Sequence, residues 1–339
     1  MRLPNQGSFR DSQRRRTRKS NFSLSSTEIE TKTGPVFLRI MSYKWVFIPF
    51  LLIAFLLIGG NVVFAYARIN SCMSPGNAIT INGSTALAPL ITDVAKDYQH
   101  RCPFVKVSVN NGAKQGSATG ISQVEQGTIN IGTSDIFADT TQNPDLHDYQ
   151  VAVVVFALVV NTDVSVSTLT TNQVRRIYSG DITNWSVVDL HGQNREIVRI
   201  SRPPSSGTRA TFEKYILNGI ETVPGPQSLI SDTSDDVAKY VKTQPGAIGY
   251  VSLYHAKKYG LKIVSIDNIS PTDSQAVRNG PYVFWNVEHM YTKGVATGLT
   301  KDFIEHMYSD IAKPIVTDDS YLSIFDFTRD ALFRHISQI

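Results

Sequence analysis

Three times in this chain an apolar strand runs into a turn of glycine and small hydroxyl residues and then into an amphipathic helix. Gly83-Ser-Thr-Ala86 follows the strand Ala78–Ile81 and precedes Leu87, Leu90, Ile91, Val94 and Tyr98 at helical spacing. Gly116-Ser-Ala-Thr-Gly120 follows Val105–Val109 and opens a short helix carrying Ile121 and Val124. Arg202-Pro-Pro-Ser-Ser-Gly-Thr-Arg209 follows Ile197–Ile200 and opens a helix with Phe212, Tyr215 and Ile216 on one face. Strands that alternate with helices in this way demand an α/β sheet. In open sheets of that kind the turns gather at the carboxyl ends of the strands, where ligands bind.

Each turn presents free backbone N–H groups and hydroxyl donors at a helix start, and the helix dipole adds positive potential there. Taken singly, such a turn reads equally well as ordinary capping. Three of them facing one point would replace the water shell of a small anion. Arg202 adds a planar, permanently charged fork suited to oxyanions. Asp135 ends the apolar segment Asn130-Ile-Gly-Thr-Ser-Asp135. An ionised Asp only accepts hydrogen bonds, so beside an anion it fits one that carries a proton. Phosphate at neutral pH does, and sulfate does not. The plainer reading of Asp135 is a turn residue or helix cap.

Six segments occur in one order: Gly83-Ser-Thr-Ala-Leu-Ala-Pro89, Gly116–Gly120, Ile131-Gly-Thr-Ser-Asp135, Ile177-Tyr-Ser-Gly-Asp-Ile-Thr-Asn-Trp185, Arg202 with Ser206-Gly-Thr-Arg209, and Gly246-Ala-Ile-Gly-Tyr-Val251. From Ala78 to the C-terminus the chain resembles the PstS-type phosphate-binding proteins, the substrate-binding components of phosphate ABC transporters. The resemblance implies phosphate contacts from Thr85, Ala86, Ser117, Asp135, Arg202, Ser206, Gly207 and Thr208, with backbone N–H donors at Ala86 and Gly207. Ser84, Thr119 and Arg209 are further candidates, Arg209 as a second cation or as a solvent-facing helix residue. In some family members an acidic residue two positions after the arginine steadies it. Here that position is Pro204, so something else must orient Arg202.

The resemblance also implies a two-lobed periplasmic-binding-protein-like (type II) α/β fold with discontinuous lobes, and the uncharged apolar run ahead of it reads as one N-terminal transmembrane helix. Lobe I is expected at 78–154 and 283–339 and lobe II at 161–267, with crossover segments at 155–160 and 268–282. Two crossing strands give a hinge and a cleft, and an anion gripped from both sides favours closure. Of the 339 residues, about 270 follow the N-terminal segments, enough for two lobes. An apolar fraction of 42% and a charged fraction of 18% are those of a folded protein. No fixed-period repeat points to a solenoid.

Residues 1–44 hold ten Lys/Arg and three acidic residues, whereas the whole chain carries a net charge of +4. The remainder is therefore mildly acidic, which argues against nucleic acid as a partner. The basic tail is rich in Ser/Thr and is expected to be disordered. Arg14-Arg-Arg16, Arg18 and Lys19 could touch anionic lipid or serve only to orient the chain. No charge falls between Lys44 and Arg68, so 45–67 can span a bilayer with the tail cytoplasmic and the large domain extracytoplasmic. The length of the run favours an uncleaved anchor. Ala65-Tyr-Ala67 also fits a cleavage site, which would make the protein secreted. Met41 is an alternative start, residues 68–77 are a linker, and Ile69-Asn-Ser-Cys72 lacks a lipobox.

Cys72 and Cys102 are the two cysteines, each shortly before a predicted strand of a neighbouring pair. A disulfide between them suits an oxidising exterior. The seven histidines are scattered without metal-ligand spacing, and no G-x-S-x-G or Walker sequence occurs. Asp232, Asp235 and Asp236 read as a helix-start cluster. No catalytic residue, metal or cofactor is expected. The expectation is a monomeric phosphate receptor that delivers its ligand to permease subunits of an ABC transporter. The alternatives are a membrane-anchored phosphate-sensing domain, a receptor for sulfate, molybdate or tungstate, and a phosphate-ester hydrolase, which the lack of an activated nucleophile disfavours.

Overall fold

The computed structural model describes residues 78–109, 115–139, 141–189, 194–221, 228–318 and 320–337. The basic tail, the apolar segment 45–67, the linker 68–77 and Cys72 lie outside the described residues. Among the described residues no helix is long and apolar enough to cross a membrane.

The first half is parallel. β1 (Ala78–Gly83) lies between β2 (Lys106–Val109) and β3 (Ile131–Ser134), with α1 (Ala88–Arg101) and α2 (Ser117–Glu125) as crossovers. α1 starts where the Ser84 hydroxyl accepts the N–H groups of Ala86 (3.1 Å) and Leu87 (3.0 Å), with Pro89 in the first turn, where its missing N–H costs nothing. It buries Leu90, Ile91, Val94, Ala95 and Tyr98. α2 lies unusually close to the sheet. A Cβ on Gly120 would stand 2.7 Å from the Gly83 Cα and 2.8 Å from the Asn82 carbonyl oxygen, so only glycine permits this approach.

β4 (Leu146–Val160) joins the two halves. Its residues through Val155 pair antiparallel with β10 (Trp285–Lys293), which pairs in turn with β3. From Phe156 to Val160 its partner becomes β8 (Ala247–Ser252). β9 (Lys262–Ile266) takes the other edge of Leu158–Val160. Every residue from Val151 to Val160 is buried, which is why the sequence here is a continuous apolar run rather than an alternating one. Residues 155–160, anticipated as a crossover, form the end of this unbroken strand. The returning chain runs beside it. The Phe156 N–H donates to the Phe284 carbonyl (3.0 Å) and the Tyr282 hydroxyl donates to the Phe156 carbonyl (2.6 Å).

The second half repeats the parallel plan. β5 (Thr168–Leu169) pairs with β9, and α3 (Thr171–Ser179) starts at a Thr170–Gln173 capping box and stops at Gly180. β6 (Val198–Ser201) lies between β8 and β7 (Ser228–Ile230). α4 (Gly207–Phe212) follows β6 and α5 (Ser234–Thr243) follows β7. α6 (Leu253–Lys258) and α7 (Ser274–Arg278) lead to β10, and α8 (Gly298–Met307), α9 (Lys313–Asp318) and α10 (Arg329–Ile336) complete the chain. The result is two α/β lobes on one sheet in the order β2-β1-β3-β10-β4-β8-β6-β7. The β1–α1 turn, the start of α2, the β6–α4 turn and the start of α5 meet where the lobes face each other.

Candidate anion-binding site

Arg202 stands just past β6 and is buried. Its guanidinium reaches across the cleft, with Nη2 donating to Thr85 Oγ1 at 3.0 Å. Nη1 donates to Ser234 Oγ (3.2 Å) and Nη2 also to the Asp232 carbonyl (3.0 Å). Thr85 Oγ1 in addition accepts the Ser234 N–H at the start of α5 (3.2 Å). The partners of the guanidinium are thus hydroxyls and a carbonyl, none of which neutralises it. Nε has no partner at all. Burial lowers the Arg202 pKa from its ordinary value, which raises the gain from meeting an anion.

The steadying that Pro204 cannot supply comes from the opposite side of the residue. The Tyr250 hydroxyl accepts the Arg202 N–H (3.3 Å) and donates to Glu221 Oε2 (2.9 Å), while Ser201 donates to Glu221 Oε1. Arg209 donates through Nη1 to the Arg202 carbonyl (2.9 Å) and through Nε to Glu213 (2.9 Å), with Glu221 Oε2 at 3.5 Å. Arg209 is therefore directed away from the cleft, as a brace for the backbone of Arg202. Thr119 also turns away, its hydroxyl bonded to the Gln115 carbonyl (3.4 Å).

Asp135, one residue past β3, is the opposite pole. Its Oδ2 accepts from Thr208 Oγ1 of the other lobe (2.8 Å), and its N–H donates to Ser117 Oγ (2.9 Å). Oδ1 is buried without a donor. Burial pushes the carboxyl pKa up, and the Ser84 and Thr208 hydroxyls and the Arg202 charge pull it back. Ser206 caps α4, accepting the Arg209 N–H (3.2 Å), so its hydroxyl serves the helix first. The Ala86 N–H is likewise taken by Ser84. Gly207 is where the lobes touch: a Cβ there would lie 2.2 Å from Ser117 Oγ and 2.9 Å from Asp135 Cβ. The Ala118 N–H donates to the Ser205 carbonyl across the same seam (3.2 Å).

The structure thus brings together Thr85, Ser117, Asp135, Arg202, Gly207 and Thr208, with Ser84, Ala86 and Ser206 behind them. Sequence reasoning missed Ser234, Tyr250, Glu221 and Glu288. In the sequence Asp232 reads as part of a helix-start cluster. The cap is Thr233, accepting the Asp236 N–H (3.1 Å), and the Asp232 carbonyl is free to hold Arg202. Beside Thr85 the lobes part into a pocket of about 480 Å³. Its rim lysines, Lys96, Lys239 and Lys258, are each paired with an aspartate, so the entrance carries no strong field of one sign.

A two-lobed α/β fold with buried polar groups of both lobes facing each other is that of the solute-binding class, and residues 70–310 match the family model of the PBP superfamily domain. The chain is 40% identical over 260 residues to the phosphate-binding protein PstS of Bacillus subtilis (strain 168), covering 75% of this chain and 84% of that protein. It belongs to the PstS-type phosphate-binding family of that superfamily. Among solved structures it resembles a putative phosphate ABC transporter substrate-binding protein with bound phosphate from Clostridium perfringens. That match has 28% identity and a TM-score of 0.66, and covers 73% of this chain and 100% of the other. An ABC-type phosphate transport receptor from Vibrio cholerae is also similar, with 28% identity, a TM-score of 0.57, and coverage of 72% and 99%.

Proposed function

We propose that this protein is an extracytoplasmic receptor that captures inorganic phosphate between its lobes and delivers it to an ABC permease. One observation carries the reading: the cleft buries an unmet donor, Arg202 Nε, and an unmet acceptor, Asp135 Oδ1. A ligand that satisfies both must accept from a guanidinium and donate to a carboxylate. A protonated tetrahedral oxyanion does so, and the hydroxyls of Thr85, Ser117 and Thr208 supply the remaining partners. The names of the relatives, phosphate-binding and phosphate-transport proteins, support the same ligand class.

The phosphate contacts in this reading are Thr85, Ser117, Asp135, Arg202, Gly207 and Thr208, with Arg209 removed to a bracing role. The ligand joins groups from both lobes, so its binding favours the closed form. The protein binds and releases without chemistry. The basic residues 1–44 and the uncharged segment 45–67 support a membrane-tethered receptor with its N-terminus cytoplasmic. Native mass spectrometry of the phosphate-stripped domain tests the ligand. Incubation with phosphate and sulfate together should leave one phosphate per chain, and a sulfate adduct in its place would contradict the reading.

A further inference from the structure

A second carboxyl lies beneath the site. Glu288 is on β10, fully buried, and neither of its oxygens has a hydrogen-bond donor. The strand register brings it to Asp135. His289 is paired with Ser134 in the antiparallel β10–β3 ladder, so one further step places Glu288 opposite Asp135. Directly opposed residues of such a ladder have Cβ atoms about 5 Å apart, and like charges there repel. Two ionised carboxylates can only accept, so these two can make contact only through a proton.

The surroundings decide which carboxyl holds it. Asp135 has the Thr208 hydroxyl on Oδ2, the Ser84 hydroxyl nearby and the Arg202 charge, all favouring its ionised form. Glu288 has none of these, and burial together with the Asp135 charge drives its pKa well above the ordinary value. Asp135 is the charged group facing it from β3. From β4, Asp148 is taken up by His289 Nδ1 at 2.8 Å, and on α2 the sole titratable side chain is Glu125 at the far end.

We propose that Glu288 is a positioning residue whose neutral carboxyl donates its proton to Asp135, holding Asp135 ionised as the acceptor that selects a protonated oxyanion. A carboxylate offers about four lone-pair positions, so Thr208 and Glu288 leave room for the ligand proton. The inference rests on the phosphate reading of the cleft and adds to it the origin of the carboxylate's charge state. Without a donor at position 288, buried Asp135 would take up a proton at higher pH. It would then turn from acceptor to donor, weakening phosphate and admitting sulfate.

Phosphate and sulfate titrations of wild type, Glu288→Gln and Glu288→Leu between pH 5.5 and 8 test this, with each variant referred to wild type at the same pH so that the titration of phosphate cancels. Gln keeps a donor and should stay within about threefold of wild type, whereas Leu should lose about 10- to 100-fold, the loss growing as pH falls. Its preference for phosphate over sulfate should fall with it. Should Leu fail to fold, the infrared band of a protonated buried carboxyl decides: it should be present in wild type at neutral pH and absent from Glu288→Gln. Equal behaviour of Gln and Leu, tighter phosphate binding by either, or no such band would overturn the proposal. Tighter binding would mean that Glu288 is a second buried negative charge. If wild type itself fails to bind phosphate, the reading of the site falls first and the proposal with it, a result distinct from each of these.

Discussion

Arg202 and Thr85, 117 residues apart in sequence and on opposite lobes, are joined by a 3.0 Å hydrogen bond from Nη2 to Oγ1. The buried guanidinium thereby spans the cleft, with only hydroxyls and a carbonyl around it. A dianion entering here would meet a cation already stripped of water. Truncation in Arg202→Ala removes that charge and should cost about 2–5 kcal/mol of phosphate affinity. Arg202→Lys should recover only part, because it keeps the charge without the fork. Calorimetry of both variants checks this, and a wild-type affinity for Arg202→Ala would remove Arg202 from the site.

Gly207 sets how closely the lobes meet. A methyl group there must push against Ser117 Oγ, 2.2 Å away, but only when the cleft is shut. Gly207→Ala should therefore weaken phosphate by about 1–3 kcal/mol. It should also reduce the compaction seen by small-angle scattering, while leaving the melting temperature of the ligand-free protein nearly unchanged. Full compaction with unaltered affinity would show that the lobes do not need this contact.

Asp135 discriminates by charge. Sulfate, which has no proton to give, would set its oxygens against the Asp135 carboxylate at short range, a repulsion that works against a ligand of the same shape. Asp135→Asn keeps the shape, removes the charge and adds donors, so the variant should bind sulfate measurably. Titration with sulfate reads the outcome. Continued rejection of sulfate by Asp135→Asn would make Asp135 a structural turn residue and place selectivity elsewhere.

Much of this site was legible because turn chemistry is local. A glycine and hydroxyl turn between a strand and a helix reads as a cap or as an anion turn; three of them in one chain point to the second, and the family resemblance then picks out Thr85, Ser117 and Thr208. The supports of Arg202 were not legible. Tyr250 lies in an apolar strand like any core tyrosine, and Glu221 sits between a helix end and a strand with no motif around it. Tyr250 meets Arg202 only because β6 and β8 are neighbours, and Glu221 joins them through Tyr250 and Ser201. Glu288 left one signal, a lone acid in the otherwise uncharged run Pro281–Thr292, and its meaning depends on a strand register that no local pattern encodes. For Arg209 the sequence offers one signal, Glu213 four residues on at the spacing of a helix ion pair, but its contacts to Glu221 and the Arg202 carbonyl depend on packing that the helix position does not encode.

Cys102 is disulfide-bonded, and Cys72, the only other cysteine in the chain, lies outside the described residues. Peptide mapping without reductant should recover the two cysteines in one linked fragment. Closing a loop of this length stabilises by about 3–4 kcal/mol in the chain-entropy account, so reduction should lower the melting temperature. Two free thiols in native material would contradict the pairing. N-terminal sequencing of membrane fractions tests the tether in the same preparation, and a mature chain beginning at Arg68 would mean the segment is cleaved.

The central claim is that the cleft takes phosphate as a protonated oxyanion between Arg202 and Asp135, and isothermal titration of the phosphate-free domain tests it most directly. Phosphate, sulfate and molybdate are titrated in parallel at neutral pH. The account predicts one phosphate per chain with a Kd of about 1 µM or below, about 8 kcal/mol or more of binding free energy, and no saturable heat from sulfate. A silent phosphate titration beside a saturating one with sulfate or molybdate would contradict it.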